Sequence, residues 1–153
     1  MTSSPSAPAR TTGRGDQEEW IGTRPGEHCL IRIAAEDTGG VYSVVEIVSD
    51  PGDGTPLHVH QNEDEHFLIL EGTARINYGD RTFNAKAGDT ATLLRGIPHA
   101  WRNAADIPLR MAVTCTPGGV EDVFRIIARG GEIDLPALAA KSKVQVLGPM
   151  PTD

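Results

Sequence analysis

From Cys29 to Thr116 the chain is a succession of short apolar or alternating runs, each followed within a few residues by Gly, Pro, Asn or Asp. The runs are Cys29–Ala35, Val41–Ser49, Pro56–His60, Glu65–Leu70, Thr73–Tyr78, Arg81–Asn84, Thr90–Leu94, His99–Arg102 and Leu109–Thr116. None is long enough to favour a helix, and strands at this spacing fold as a sandwich or barrel. Tyr78-Gly79-Asp80-Arg81 and Ala87-Gly88-Asp89 read as tight turns. The 17 Gly and 11 Pro suit a small barrel with many such turns. No internal repeat suggests a second barrel.

After Pro117-Gly118-Gly119 the pattern changes. Val120, Val123, Phe124 and Ile127 recur at helical spacing, with Glu121 and Asp122 in the first turn and Gly130 as a stop. A second, shorter helix is expected from Asp134 as cap to about Lys141. Phe124 reads as a packing residue. The expected organisation is a flexible tail over 1–19, an antiparallel barrel over 20–116, and a helical extension and tail over 117–153.

The chain of 153 residues carries a net charge of −7 and no basic cluster, which argues against nucleic acid or an anionic membrane as partner. No apolar run approaches the roughly 18 residues of a membrane span. The segment Met1–Glu19 is rich in Ser, Pro, Ala and Thr and lacks an apolar core, so it does not read as a signal peptide. A cytoplasmic location is expected, with Cys29 and Cys115 as reduced core residues. The run His66–Leu70 is apolar on both faces, which points to burial by the helices or by a second copy, and a homodimer is expected.

The chemistry concentrates in one constellation: His58, His60 and Glu65, answered by His99. His58 and His60, two apart on a strand, share a face. The polar Gln61–Asp64 reads as a turn of a hairpin that returns Glu65 beside them. Glu65 shares parity with Phe67 and Ile69; Asp64, one residue earlier, is the alternative carboxylate. His66 has the opposite parity and points away, and His28 reads as an ordinary strand or surface histidine. Three imidazoles and a carboxylate suit Zn, Fe, Mn, Ni, Co or Cu rather than calcium. No phosphate-binding loop, nucleophile elbow or Cys-x-x-Cys pair competes with this set.

These residues resemble the cupin superfamily. Gly52, His58, His60, Glu65 and Gly72 fit every fixed position of its first motif, G-x5-H-x-H-x3–4-E-x6-G. Gly88, Gly96, His99 and Asn103 fit its second, G-x5-P-x-G-x2-H-x3-N, with Leu94 in place of the proline. The resemblance covers roughly residues 40–116. It implies a double-stranded β-helix, or jelly roll, holding one divalent transition metal on His58, His60, Glu65 and His99. The compact single barrel is similar to quercetin-dioxygenase-like members. That likeness implies a dioxygenase acting on a small aromatic or enol substrate, with O2 as co-substrate and Glu65 also serving as the catalytic base. Phe67, Trp101 and Met111, of inward parity near the ligands, are the candidate substrate-binding residues. Non-redox cupin enzymes (isomerases, lyases, cyclases) and non-catalytic small-molecule binders share the pattern and remain alternatives.

Overall fold

The structure, a computed structural model, describes residues 19–152. The tail expected over 1–19 therefore lies, but for its last residue, outside the described residues. Among the described residues, eleven strands form two antiparallel sheets. They are β1 (Ile21–Arg24), β2 (Glu27–Ile33), β3 (Ser43–Ser49), β4 (Leu57–His60), β5 (Asp64–Glu71), β6 (Thr73–Tyr78), β7 (Arg81–Lys86), β8 (Thr90–Leu93), β9 (His99–Arg102), β10 (Leu109–Thr116) and β11 (Val144–Gly148). One sheet has the order β1-β2-β3-β10-β5-β8 and the other β11-β4-β9-β6-β7. Two helices, α1 (Glu121–Ala128) and α2 (Leu135–Ser142), lie between β10 and β11.

The period-2 pattern explains the core. On β10, Leu109, Met111, Val113 and Cys115 are buried and the residues between them are not. They meet Phe67 and Ile69 of β5, Val45 and Ile47 of β3, and Ala74 and Ile76 of β6 in one apolar cluster. Burial of such side chains contributes about 1.5–3 kcal/mol each and is the main force holding the two sheets together. Cys29 and Cys115 are buried and free.

The turns do specific work. Gly79-Asp80 closes the β6–β7 hairpin, with Tyr78 opposite Arg81. Gly72 has φ +79°, and a Cβ there would lie 2.5 Å from the Pro108 carbonyl oxygen, so only glycine fits. Asn103 is fully buried; its amide donates to the Ser49 and Ile107 carbonyls at 2.9 and 2.8 Å and its oxygen accepts from the Ala105 amide at 3.1 Å.

The helices are tied to the barrel by polar clamps. Glu121, completely buried, accepts from the amides of Ala35 and Gly119 at 2.6 and 3.0 Å. Arg125 pairs with Glu36 at 2.6 Å. Asp134 caps α2 by accepting from the Ala137 amide at 3.1 Å. After Lys143, at φ 56°, the chain re-enters the sheet as β11.

Two elements differ from the sequence reading. Strands β1 and β11 were not expected; β11 adds Val144 and Val146 opposite His60 and His58 on the free edge of β4. The expected hairpin of His58–His60 with Glu65 does not form. β4 pairs with β9 and β11, while β5 pairs with β8 and β10 in the other sheet. Glu65 thus approaches the histidines from across the barrel.

Candidate metal centre

His58 of β4 stands directly opposite His99 of β9, and His60 lies two residues along the same inward face. The ring centroids are 4.5 Å apart for His58–His99, 5.0 Å for His58–His60 and 5.4 Å for His60–His99. Ligand atoms of the three lie within 4.8 Å of one another, close enough to share one ion. Across the barrel, Glu65 places Oε1 3.2 Å from His60 Nε2 and Oε2 3.1 Å from His99 Nε2.

The other ring nitrogens fix the tautomers. His58 Nδ1 lies 2.8 Å from the Pro56 carbonyl, His99 Nδ1 3.3 Å from the Ile97 carbonyl, and His60 Nδ1 3.3 Å from a Glu63 carboxylate oxygen. A carbonyl or carboxylate only accepts, so each Nδ1 carries a proton, and a ring in its neutral form then turns an Nε2 lone pair inward. Two of those lone pairs then face the Glu65 oxygens. Such an arrangement is repulsive until a cation or extra protons enter it. His99 Nε2 is buried with no hydrogen bond of acceptable geometry, its 3.1 Å approach to Glu65 being poorly aligned. Lone pairs converging on one point, with an orphaned buried nitrogen among them, fit a divalent metal.

The electrostatics agree. Burial alone would raise the Glu65 carboxyl, but a proton donated by His99 and the positive charge of His60, His99 and His58 when they are protonated hold it down to about 2; in the absence of a cation those protons are what relieve the repulsion. Burial, together with His99, pushes His58 down to about 4, leaving it neutral and ready to ligate. Burial also lowers His60, but the adjacent Glu63 and Glu65 outweigh it and raise the imidazole above its ordinary value.

A cavity of about 310 Å³ opens onto His58, His60 and Glu65. Its walls are largely apolar and include Phe67, Trp101, Val113 and Phe124. Helices α1 and α2 and strand β11 complete it through Val123, Leu138 and Val146. Phe67 and Trp101 thus line the cavity, and Phe124 both packs on the core and faces the cavity. Met111 does not line the cavity; it is fully buried in the core, because inward parity does not fix depth along a strand. Asp64 faces outward and pairs with Arg95 at 3.1 Å, which removes it as the alternative carboxylate. His66 bridges Thr92 and Thr116 on the outer face, and His28 is exposed. Sequence reasoning missed Glu63, whose only signal was a carboxylate three residues after His60.

Two antiparallel sheets closed around an inward histidine cluster define a small β-barrel protein with a candidate metal site. Residues 45–115 match the cupin domain family, so this stretch of the chain is similar to a cupin domain. It is similar to quercetin 2,3-dioxygenase of Bacillus subtilis, 32% identical over 113 residues, covering 74% of this chain and 33% of that protein. It is also similar to mannose-1-phosphate guanylyltransferase 2 of Escherichia coli O157:H7, 31% identical over 91 residues, covering 58% of this chain and 19% of that protein. The chain spans from about a fifth to a third of the length of these curated relatives. Among solved structures, oxalate decarboxylase of Bacillus subtilis, a protein with Mn(II) centres, superimposes with a TM-score of 0.59 at 24% identity, covering 67% of this chain and 29% of that one. Among the described residues, no helix is long and apolar enough to cross a membrane.

Proposed function

We propose that the chain is a metal-dependent dioxygenase for a small aromatic or enol substrate, bound at a centre of His58, His60, His99 and Glu65. The observation that carries this reading is the cluster of His58, His60 and His99, each Nδ1 engaged elsewhere, with the Glu65 carboxylate against the Nε2 atoms of His60 and His99 beside an apolar cavity. The similarity to a quercetin dioxygenase supports the choice of reaction.

A bound divalent ion supplies Lewis-acid polarisation of a substrate oxygen and, when redox-active, electron exchange with dioxygen. The remaining work falls to the chain itself. Glu63 holds His60, and the Pro56 and Ile97 carbonyls hold His58 and His99, in the ligating tautomer. Glu65, an ionised carboxylate beside the histidines, would help hold a bound metal and would accept the proton of a substrate hydroxyl docked within hydrogen-bond reach. Phe67, Trp101 and Phe124 exclude water and offer flat faces to a flat substrate.

A non-redox metal enzyme (isomerase, lyase or cyclase) is the second reading, favoured by the likeness to a sugar-phosphate nucleotidyltransferase and by a donor set equally suited to zinc.

Metal analysis of the purified protein followed by oxygen uptake with flavonols and simple enols tests the proposal. Near-stoichiometric Fe, Mn, Ni, Co or Cu with substrate-dependent oxygen consumption is expected, and His58→Ala, His60→Ala or His99→Ala should each abolish occupancy. Stoichiometric metal without oxygen uptake would move the assignment to the second reading. Failure to bind any metal after reconstitution would refute both.

A further inference from the structure

The cavity carries a second polar group, remote in sequence from the histidines. The β1–β2 hairpin delivers Arg24 and Glu27 to its wall, and Thr55, between β3 and β4, joins them. Arg24 is fixed on three sides. Asp53 accepts from its Nε at 2.7 Å and its Nη2 at 3.0 Å, Glu27 accepts from Nη2 at 2.7 Å, and the guanidinium sits 5.5 Å from the centre of the Trp101 ring. Nη1 makes no hydrogen bond among the described residues, which leaves its two N–H donors uncommitted.

Glu27 is only 3% exposed, yet it lines the cavity. Its Oε1 accepts from Thr23 Oγ1 at 2.5 Å and from Cys29 Sγ at 3.7 Å, and its Oε2 from Arg24 Nη2 at 2.7 Å, which leaves acceptor capacity on Oε2. Thr55 Oγ1 accepts from the Trp101 amide at 3.1 Å, so its own proton is available to donate. The single positive charge of Arg24 is shared between Asp53 and Glu27 and leaves no surplus to attract an anion. All three side chains line the same cavity, so a ligand against this wall has an acceptor and uncommitted donors within one chamber. A neutral hydroxyl satisfies both at once; a carboxylate can only accept, and it faces the Glu27 oxygens.

We infer that Arg24, Glu27 and Thr55 form a second binding subsite that recognises an uncharged hydroxyl on an otherwise apolar, metal-bound substrate and rejects a carboxylate at that position. The inference rests on the metal-centred reading above and narrows its substrate class to hydroxylated, uncharged aromatics or enols. A hairpin clasp alone would need no facing cavity; this cluster opens onto the same apolar chamber as the histidines.

Equilibrium binding tests it without turnover. The protein is loaded with zinc and titrated, by fluorescence, with 3-hydroxyflavone, with its derivatives bearing one further hydroxyl at position 7 or 4′, and with the matching carboxylates. One hydroxyl derivative should bind about tenfold tighter than the parent, and its carboxylate counterpart more weakly than the parent. Glu27→Gln, checked for unchanged Tm and zinc content, should narrow the hydroxyl-over-carboxylate preference by about tenfold. Equal affinities across the series, or an unchanged preference in Glu27→Gln, would overturn the subsite while leaving the metal-centred reading standing. No binding of any flavonol by the zinc-loaded protein would overturn that reading and the subsite together.

Discussion

Glu63 is expected to control metal affinity without touching the metal. Its carboxylate, 6% exposed, accepts the Nδ1 proton of His60 at 3.3 Å and so keeps the Nε2 lone pair aimed inward. A hydrogen bond to a buried ion is worth about 1.5–3 kcal/mol, and a neutral one about 1 kcal/mol. Glu63→Gln keeps the shape and a neutral acceptor, so the loss is the difference, about 0.5–2 kcal/mol, with the long 3.3 Å separation favouring the lower value. At about 1.4 kcal/mol per tenfold, affinity should fall roughly 2- to 30-fold. Glu63→Ala leaves Nδ1 without a partner and should cost up to about 100-fold. The assay is competition for zinc against a chelator of known affinity, with Tm of the metal-free protein as a folding control. Asp64→Asn is the matched control, because Asp64 points outward to Arg95 and should leave the zinc Kd unchanged. Wild-type affinity in both Glu63 variants, with His60→Ala still defective, would refute the argument that Glu63 orients the ligand.

Two further outcomes concern the scaffold. Burial would raise the pKa of Glu46, but hydrogen bonds from Arg32 and Arg110 outweigh it and hold the carboxyl below its ordinary value. Its stabilisation is therefore complete above the unfolded carboxylate pKa of about 4.3 and is lost as pH falls through the lower folded value. Glu46→Gln should cost about 1–2 kcal/mol in urea unfolding at pH 7, both arginines being partly exposed, and progressively less below about pH 4; a difference independent of pH would contradict this. The homodimer expected from strand β5 is tested by sedimentation, since Leu68 and Leu70 remain 41% and 44% exposed on its outer face. Leu68→Lys with Leu70→Lys should convert a dimer to a monomer, whereas a wild-type monomer would remove the expectation.

Where side-chain alternation and turn residues act locally, the sequence sufficed to read the fold. Thr73–Tyr78, His99–Arg102 and Leu109–Thr116 stand in the structure with the expected bounds. The unforeseen strands owe their form to partners. Ile21–Arg24 is a four-residue edge containing Gly22, and Val144–Gly148 becomes a strand by closing the edge of β4. The expected β4–β5 hairpin failed for a similar reason: the polar bend at Gln61–Asp64 carries the chain between sheets, and a local turn signal cannot distinguish the two. Parity correctly sent Glu65 inward with Phe67 and Ile69 and Asp64 outward, because it is a property of the strand itself. Parity also sent Met111 inward, but depth within the barrel depends on packing across both sheets.

The motif residues divide into two tasks, and that division limits what a motif can say. Gly72 permits the close approach of Pro108, and Asn103 ties three backbone groups together; neither lines the cavity. His58, His60, His99 and Glu65 carry donor atoms that many chemistries could use. Much of the cavity wall comes from outside both motifs: Arg24 and Glu27 from the β1–β2 hairpin, Val123 and Phe124 from α1, Leu138 from α2 and Val146 from β11. These elements are brought to the chamber by long-range pairing and by the buried Glu121 clamp. Specificity can therefore diverge through the N-terminal hairpin and the C-terminal helices while the metal-site geometry is left intact. On this argument, exchanging Arg24 and Glu27 should alter ligand preference at constant zinc affinity, and exchanging Glu63 should alter zinc affinity at constant ligand preference.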